Sequence, residues 1–94
     1  MQIEIEGQKA HVHSQNNIDD SLESIILIPG AGMDHRIAKM FDFDFISDNH
    51  NLLTFDLPGH GFSPGPALLT IEDQTNFCLK IIDKLNIKNP ILIG

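Results

Sequence analysis

The sequence predicts an α/β fold in which a β-hairpin is followed by parallel strands joined through crossover helices. Three apolar runs without a polar face, at 25–28, 52–55 and 91–93, are typical of strands buried on both sides of a sheet. Segments of helical character separate these runs along the chain. Strands that alternate with helices favour a parallel sheet with right-handed crossovers.

The composition limits the classes of partner and compartment. The chain has 94 residues, 13 acidic against 6 basic, and a net charge of −7, which argues against a nucleic acid partner. No stretch approaches the roughly 20 apolar residues of a membrane span, and the N-terminus lacks the features of a secretory signal. The single cysteine, Cys78, excludes an intrachain disulfide and fits a reducing compartment. We therefore expect a cytoplasmic chain with no membrane span.

The first 24 residues predict a hairpin and a loop. Ile3 and Ile5 alternate with polar residues, as do Ala10 and Val12, so we expect strands over 2–6 and 9–13 with a turn at Gly7-Gln8. The polar segment 14–24 then predicts a loop before the first apolar run.

A glycine loop at 29–35 follows the first apolar run. Asp34 is a candidate N-cap, because its carboxylate can accept amide protons of the next turn. We expect a helix from about His35 to Phe43, with Ile37, Met40 and Phe41 on its buried face.

The second half of the chain predicts a strand, a loop, a helix and a strand. The run 52–55 ends at Asp56, and the glycines and prolines of 57–69 predict a loop. Thr70 and Asp73 resemble a capping box at the start of a helix over about 71–87. Its predicted buried stripe consists of Ile71, Cys78, Ile82 and Leu85, with Phe77 and Ile81 alongside, and Cys78 is interpreted as a small core residue.

Three motifs occur in a characteristic order. They are Pro29-Gly30-Ala31-Gly32 after the first buried strand, the segment 56–63 (DLPGHGFS) after the second, and Ile91-Leu92-Ile93-Gly94. Together they resemble the N-terminal part of an α/β-hydrolase-fold enzyme. The resemblance covers essentially the whole chain and implies that residues 1–94 are the incomplete N-terminal portion of one domain.

The resemblance also locates the catalytic residues. In that family the third strand leads into the Gly-x-Ser-x-Gly nucleophile elbow, and the acid and histidine follow the nucleophile in the chain. Gly94 corresponds to the first glycine of the elbow. The nucleophile, acid and histidine would then lie beyond Gly94, so we expect residues 1–94 to be inactive alone.

The remaining site residues predicted by the resemblance lie in two loops. The Ala31 backbone amide, flanked by Gly30 and Gly32, corresponds to an oxyanion-hole donor, although Pro29 stands where the family has histidine. Met33, Asp34 and His35 are candidate substrate contacts, and an exposed helix start is the alternative for His35. A structural loop role is expected for Asp56, Gly59, His60, Gly61 and Ser63, with Asp56 bracing the following turn and the His60 ring bonded to backbone.

Other kinds of site fit the sequence less well. His11 and His13 point to the same face of a strand, but without a third ligand nearby we expect a solvated face and no metal. A dinucleotide fingerprint starting at Gly30 would need its third glycine where His35 stands, and no phosphate-loop Gly-Lys-Ser/Thr is present.

The sequence therefore favours a serine-type hydrolase of a carboxylic ester or lactone as the parent protein. Its expected partners are a small ester-like substrate and the remainder of its own domain, and no cofactor is expected. Two alternatives stay open: a non-catalytic ligand-binding module of the same fold, and a dehalogenase or epoxide hydrolase parent.

Overall fold

The computed structural model describes residues 1–14, 17–30, 32–39 and 49–94. Within these ranges lie five strands: β1 (Gln2–Ile5), β2 (Gln8–Ser14), β3 (Ser24–Leu27), β4 (Asn51–Phe55) and β5 (Ile91–Ile93). A 3-10 helix spans His35–Lys39 and an α-helix, α1, spans Ile71–Lys84. Met40 and Phe41, expected on the buried face of a longer helix, lie outside the described residues.

The strands form one mixed sheet in the order β1-β2-β4-β3-β5. β3 pairs in parallel with β4 on one side and with β5 on the other, and β2 pairs antiparallel with β4. The α/β class predicted from the sequence is confirmed. The resemblance to α/β hydrolases predicts that the runs 52–55 and 91–93 flank the run 25–28, and that 9–13 pairs antiparallel with 52–55 at the edge. This order is confirmed.

The hairpin turn differs from the prediction by one residue. Ile5 pairs with Gln8, which leaves Glu6 and Gly7 as the two turn residues. Both have positive φ, 49° and 82°, as two-residue hairpin turns of the primed type require. The prediction at Gly7-Gln8 is wrong because the glycine occupies the second turn position instead of the first.

The main core lies between the sheet and α1. β3 and β4 are buried along their whole length, which confirms the interpretation of their apolar runs. The burial predicted for 91–93 is wrong for this chain, because all three residues of β5 are exposed. Buried residues of four strands, the segment after β4 and the helix form the main cluster: Ile5, Ala10, Val12, Ile26, Leu53, Phe55, Leu57, Phe77 and Ile81. The other face carries a smaller cluster of Ile25, Leu27 and Leu52, against which Ile37 packs.

The helix α1 begins as predicted and ends earlier. Thr70 is its N-cap, and its side-chain oxygen accepts a hydrogen bond from the Asp73 amide at 3.0 Å. The helix ends at Lys84, not near residue 87, and Asn86 then takes a positive φ of 56°.

The buried stripe of α1 is also narrower than the sequence suggests. Phe77 and Ile81 are the buried helix residues, whereas Ile71 is 77% exposed. Cys78, Ile82 and Leu85 are partly buried at the margin of the core. The helix is thus rotated toward Phe77 and Ile81, which leaves an apolar flank uncovered.

In the described part of the chain, no helix is long and apolar enough to cross a membrane.

Candidate active site

A cavity opens at the carboxyl ends of β3 and β5. Its volume is about 450 Å³ and its lining is mostly apolar. The lining residues are Leu27, Ile28, Gly30, Met33, Ile37, Ile93 and Gly94. Open parallel sheets bind ligands at this edge, outside the carboxyl ends of their strands. The glycine loop and Gly94 therefore meet at the same edge of the sheet.

The glycine loop turns sharply as it leaves β3. The Met33 amide donates to the Gly30 carbonyl at 3.0 Å, and Gly32 has a φ of +74°. A side chain at position 32 would be strained by this conformation, which explains glycine there. Ala31, the expected oxyanion-hole residue, lies outside the described residues, between two that are described.

His35 is buried, with 6% of its surface exposed, so the expectation of an exposed helix start is wrong. Its backbone amide donates to Asp56 Oδ1 at 2.6 Å, and its ring nitrogen Nδ1 lies 2.8 Å from Asp56 Oδ2. Because a carboxylate only accepts hydrogen bonds, Nδ1 carries the hydrogen. The ring therefore faces Asp56 and does not line the cavity.

Asp56 links three parts of the chain. Its carboxylate, which is fully buried, accepts from His35 and also from the Phe62 amide at 2.8 Å. Its backbone carbonyl accepts from the Ser63 hydroxyl, and its amide donates to the His11 carbonyl at 3.0 Å. These contacts join the end of β4 to the glycine loop, to the segment 57–63 and to β2.

Close packing accounts for one glycine of the segment 57–63. A Cβ atom at Gly61 would lie 2.4 Å from Asp56 Oδ2, and Gly61 also has a positive φ of 49°. The His60 ring nitrogen Nδ1 lies 3.1 Å from the Pro58 carbonyl oxygen, so this ring contacts backbone. Gly59 takes a φ of +80° at the turn before it. The segment is shaped around the Asp56 carboxylate.

The histidines of β2 are not on a simple solvated face. The ring of His11 lies 4.5 Å from that of His35 and 5.0 Å from that of Phe62, measured between centroids. The His13 ring lies 5.7 Å from that of His35. Burial lowers the pKa of His11, and the positive charge of the terminal amino group lowers it further. The expectation of a solvated face is wrong, because the ring of His35, which is distant in the sequence, packs against both histidine rings of β2.

The carboxylate of Asp34 is bound by Arg36, two residues later in the chain. Its Oδ1 accepts from the Arg36 amide at 2.9 Å, as an N-cap does, and its carboxylate pairs with the Arg36 guanidinium. Hydrogen bonds from Arg36 hold the pKa of Asp34 well below its usual range. Of the three expected substrate contacts, Met33 lines the cavity, whereas Asp34 faces Arg36 and His35 faces Asp56.

A second, narrower groove of about 190 Å³ lies between the uncovered flank of α1 and the sheet. Apolar residues of the helix, including Ile71, Cys78 and Leu79, face Ile28, Pro29 and Leu92 across it. This groove adjoins β5, whose residues are exposed.

The chain was also compared with known proteins. No family model matches it, and no curated protein is detectably similar in sequence. Solved structures do match. A thioesterase domain from the curacin biosynthetic pathway aligns with 100% of the chain and 34% of its own length, at 15% identity and a TM-score of 0.83.

Two further structures align over 98% of the chain. The enol-lactonase from Burkholderia xenovorans LB400 is 24% identical, with a TM-score of 0.80 over 35% of its own length. A loop variant of a haloalkane dehalogenase from Bradyrhizobium elkanii is 17% identical, with a TM-score of 0.80 over 30% of its length. The chain thus spans about a third of the length of each. It has the fold of the N-terminal part of an α/β hydrolase.

Proposed function

We propose that this chain is the N-terminal part of a serine-type hydrolase of carboxylic esters or lactones. The observation that carries the proposal is the cavity at the carboxyl ends of β3 and β5, which the glycine loop and Gly94 both line. In an α/β hydrolase the nucleophile elbow begins at the end of the strand equivalent to β5. The cavity then lies where an attacked carbonyl group would sit.

In this proposal the chain stabilises the oxyanion and positions the loop that carries its donor amide. Attack on an ester carbonyl produces an oxyanion, which fixed backbone amides stabilise. The Ala31 amide, directly after Gly30, is the proposed donor. His35 and Asp56 hold the far end of the same loop, so the loop has a rigid support.

The nucleophile, the acid and the general-base histidine are proposed to follow Gly94. The serine would attack the carbonyl carbon, and the histidine would take its proton and return it to the leaving group. Residues 1–94 alone would bind substrate weakly and would not turn it over. The apolar lining of the cavity favours a small substrate with an apolar acyl group, and Met33 would contact that group.

A second reaction class is supported by one comparison. The haloalkane dehalogenase shares the fold over almost the entire chain. The residue two positions after Gly94 separates the two classes: serine supports acyl transfer, and aspartate supports carbon–halogen or epoxide chemistry. The proposed function keeps acyl transfer first because the thioesterase and the enol-lactonase also match.

The test uses the full-length protein and p-nitrophenyl esters of increasing acyl length, together with a simple lactone. Ala31→Pro removes the proposed donor amide, whereas Ala31→Gly keeps it and serves as the matched control. Loss of one oxyanion donor lowers kcat by about 10²–10³. We expect that loss for Ala31→Pro with KM little changed, and near-normal kcat for Ala31→Gly. Equal activity of the two variants would refute the role of this amide.

A further inference from the structure

Two imidazoles and a carboxylate converge at the end of β4. His11 comes from β2, His35 from the start of the 3-10 helix, and Asp56 directly follows β4. One potential ligand atom from each of the three residues lies within 4.8 Å of the others. His35 and Asp56 are buried and His11 is partly buried, so the group is not a chance cluster of surface side chains.

The backbone holds these three residues in place. The Asp56 amide donates to the His11 carbonyl at 3.0 Å, and the His35 amide donates to Asp56 Oδ1 at 2.6 Å. The His11 amide in turn donates to the Ser63 hydroxyl at 2.9 Å. The three side chains therefore start from fixed positions, which reduces the entropy lost when a ligand gathers them.

The donor set and its charge suit a divalent transition metal. Two imidazoles and a carboxylate are a known three-ligand set for Zn²⁺, with metal–ligand distances of about 2.0–2.2 Å. Ligand atoms around such an ion lie about 3.3 Å apart, so a modest rotation of the partly buried His11 ring would close the set. A buried carboxylate such as Asp56 is also stabilised by a nearby positive charge.

We propose that His11, His35 and Asp56 bind a divalent transition metal ion, with Zn²⁺ as the best match. The ion would take one ring nitrogen of His11, Nδ1 of His35 and one oxygen of Asp56. It would replace the hydrogen that Nδ1 now shares with Asp56, and that proton would go to solvent. A fourth coordination position would remain for water. It would connect β2, β4 and the glycine loop through a single centre. This proposal does not depend on the hydrolase function.

The test measures metal binding by the untagged full-length protein, because a polyhistidine tag would itself bind metal. Co²⁺ replaces Zn²⁺ as the spectroscopic probe, and its visible absorption reports the ligand geometry. We expect one equivalent of Co²⁺ per chain, displaced by Zn²⁺, and a higher melting temperature when Zn²⁺ is present. No saturable binding would overturn the proposal and leave the His35–Asp56 contact as a metal-free hydrogen bond.

Variants identify the ligands. His11→Phe preserves an aromatic ring beside Phe62 and His11→Gln preserves polarity, so at least one is expected to fold. His60→Gln is the matched control, since the His60 ring contacts the Pro58 carbonyl and is not one of the three proposed ligands. Both His11 variants should bind Co²⁺ at least about tenfold more weakly, the lower limit seen when even a supporting group is removed. His60→Gln should bind like the parent protein, and equal binding by all variants would overturn the assignment.

A measurement on the unmodified protein does not depend on how the variants fold. Ring nitrogens of histidine can be followed individually by ¹⁵N NMR during a Zn²⁺ titration. The ring signals of His11 and His35 should shift together at one equivalent, while those of His60 stay in place. Shifts confined to other histidines would place the metal elsewhere and refute the site.

Discussion

Asp56 Oδ2 lies 2.8 Å from the ring nitrogen Nδ1 of His35, although the two residues are 21 positions apart in the sequence. The same carboxylate accepts the backbone amides of His35 and Phe62. One buried side chain thus fixes the end of the glycine loop and the far end of the segment 57–63. Pro29 contributes no hydrogen-bonding side chain to that loop, and the contact between His35 and Asp56 supplies the support from its other end.

Removal of the Asp56 carboxylate should destabilise the protein strongly. Asp56→Ala leaves two backbone amides and the His35 ring without their buried acceptor. Each buried donor left without an acceptor costs about 1–3 kcal/mol, which amounts to several kcal/mol for the three donors. We expect a loss of that order in the free energy of unfolding of the full-length protein, measured by urea denaturation.

Asp34→Ala is the matched control for this variant. It removes a carboxylate that pairs with the exposed guanidinium of Arg36 and caps the 3-10 helix, with a combined contribution of about 1–2 kcal/mol. A similar loss for both variants would show that Asp56 does not act as a central support.

Gly61 should tolerate alanine much less well than Gly7. Both glycines have positive φ, for which an ordinary residue costs about 1–2 kcal/mol. Nothing lies within 4 Å of a Cβ atom at Gly7, but a Cβ atom at Gly61 would lie 2.4 Å from Asp56 Oδ2. Gly61→Ala should therefore lower the free energy of unfolding by clearly more than Gly7→Ala. Equal losses would mean that the segment 57–63 shifts to accommodate a methyl group.

The places of β3 and β4 inside the sheet were predictable from the composition of their apolar runs. The runs that became β3 and β4 have no polar face, and strands with that property lie inside parallel sheets. The resemblance to α/β hydrolases then fixed which strands are neighbours. Boundaries were less predictable: α1 ends at Lys84 because Asn86 adopts a positive φ, which periodicity does not reveal.

The contacts of the candidate site were harder to predict for a physical reason. His35, Asp56 and His11 are far apart in the sequence, and only the folded sheet brings them together. One signal was available: a carboxylate directly after a fully apolar strand must be buried, and a buried charge needs partners. That signal does not identify the partner, because His35 and His60 both lie in loops that follow buried strands.

The thiol of Cys78 should ionise at higher pH in the folded protein than in the unfolded chain. Burial raises its pKa, so the folded state binds the thiol proton more tightly. As pH rises above the ordinary thiol pKa of about 8.5, the unfolded chain loses its proton first, and stability falls. When the alkylation rate of Cys78 is measured against pH, its midpoint should lie at higher pH in buffer than in urea. Coincident midpoints would contradict this environment for Cys78.

The exposed strand β5 should cause the isolated 94-residue chain to associate or to fold only in part. Ile91, Leu92 and Ile93 are 43%, 52% and 40% exposed, and β5 borders the apolar groove beside α1. Among the described residues β5 pairs only with β3, and the free edge of an apolar strand is a template for pairing with another chain. A chain of this size also has little stability to spare.

Light scattering of the isolated chain over a range of concentrations tests this expectation. The apparent mass should rise with concentration, and Leu92→Lys should reduce that rise, because a charge at the sheet edge opposes pairing. Ile18→Lys is the matched control, since Ile18 is 41% exposed but lies outside the strands. A monomer at every concentration, with one cooperative thermal transition, would show that β5 needs no further strand. An equal effect of the two lysine variants would show that association depends on general surface apolarity and not on the edge of the sheet.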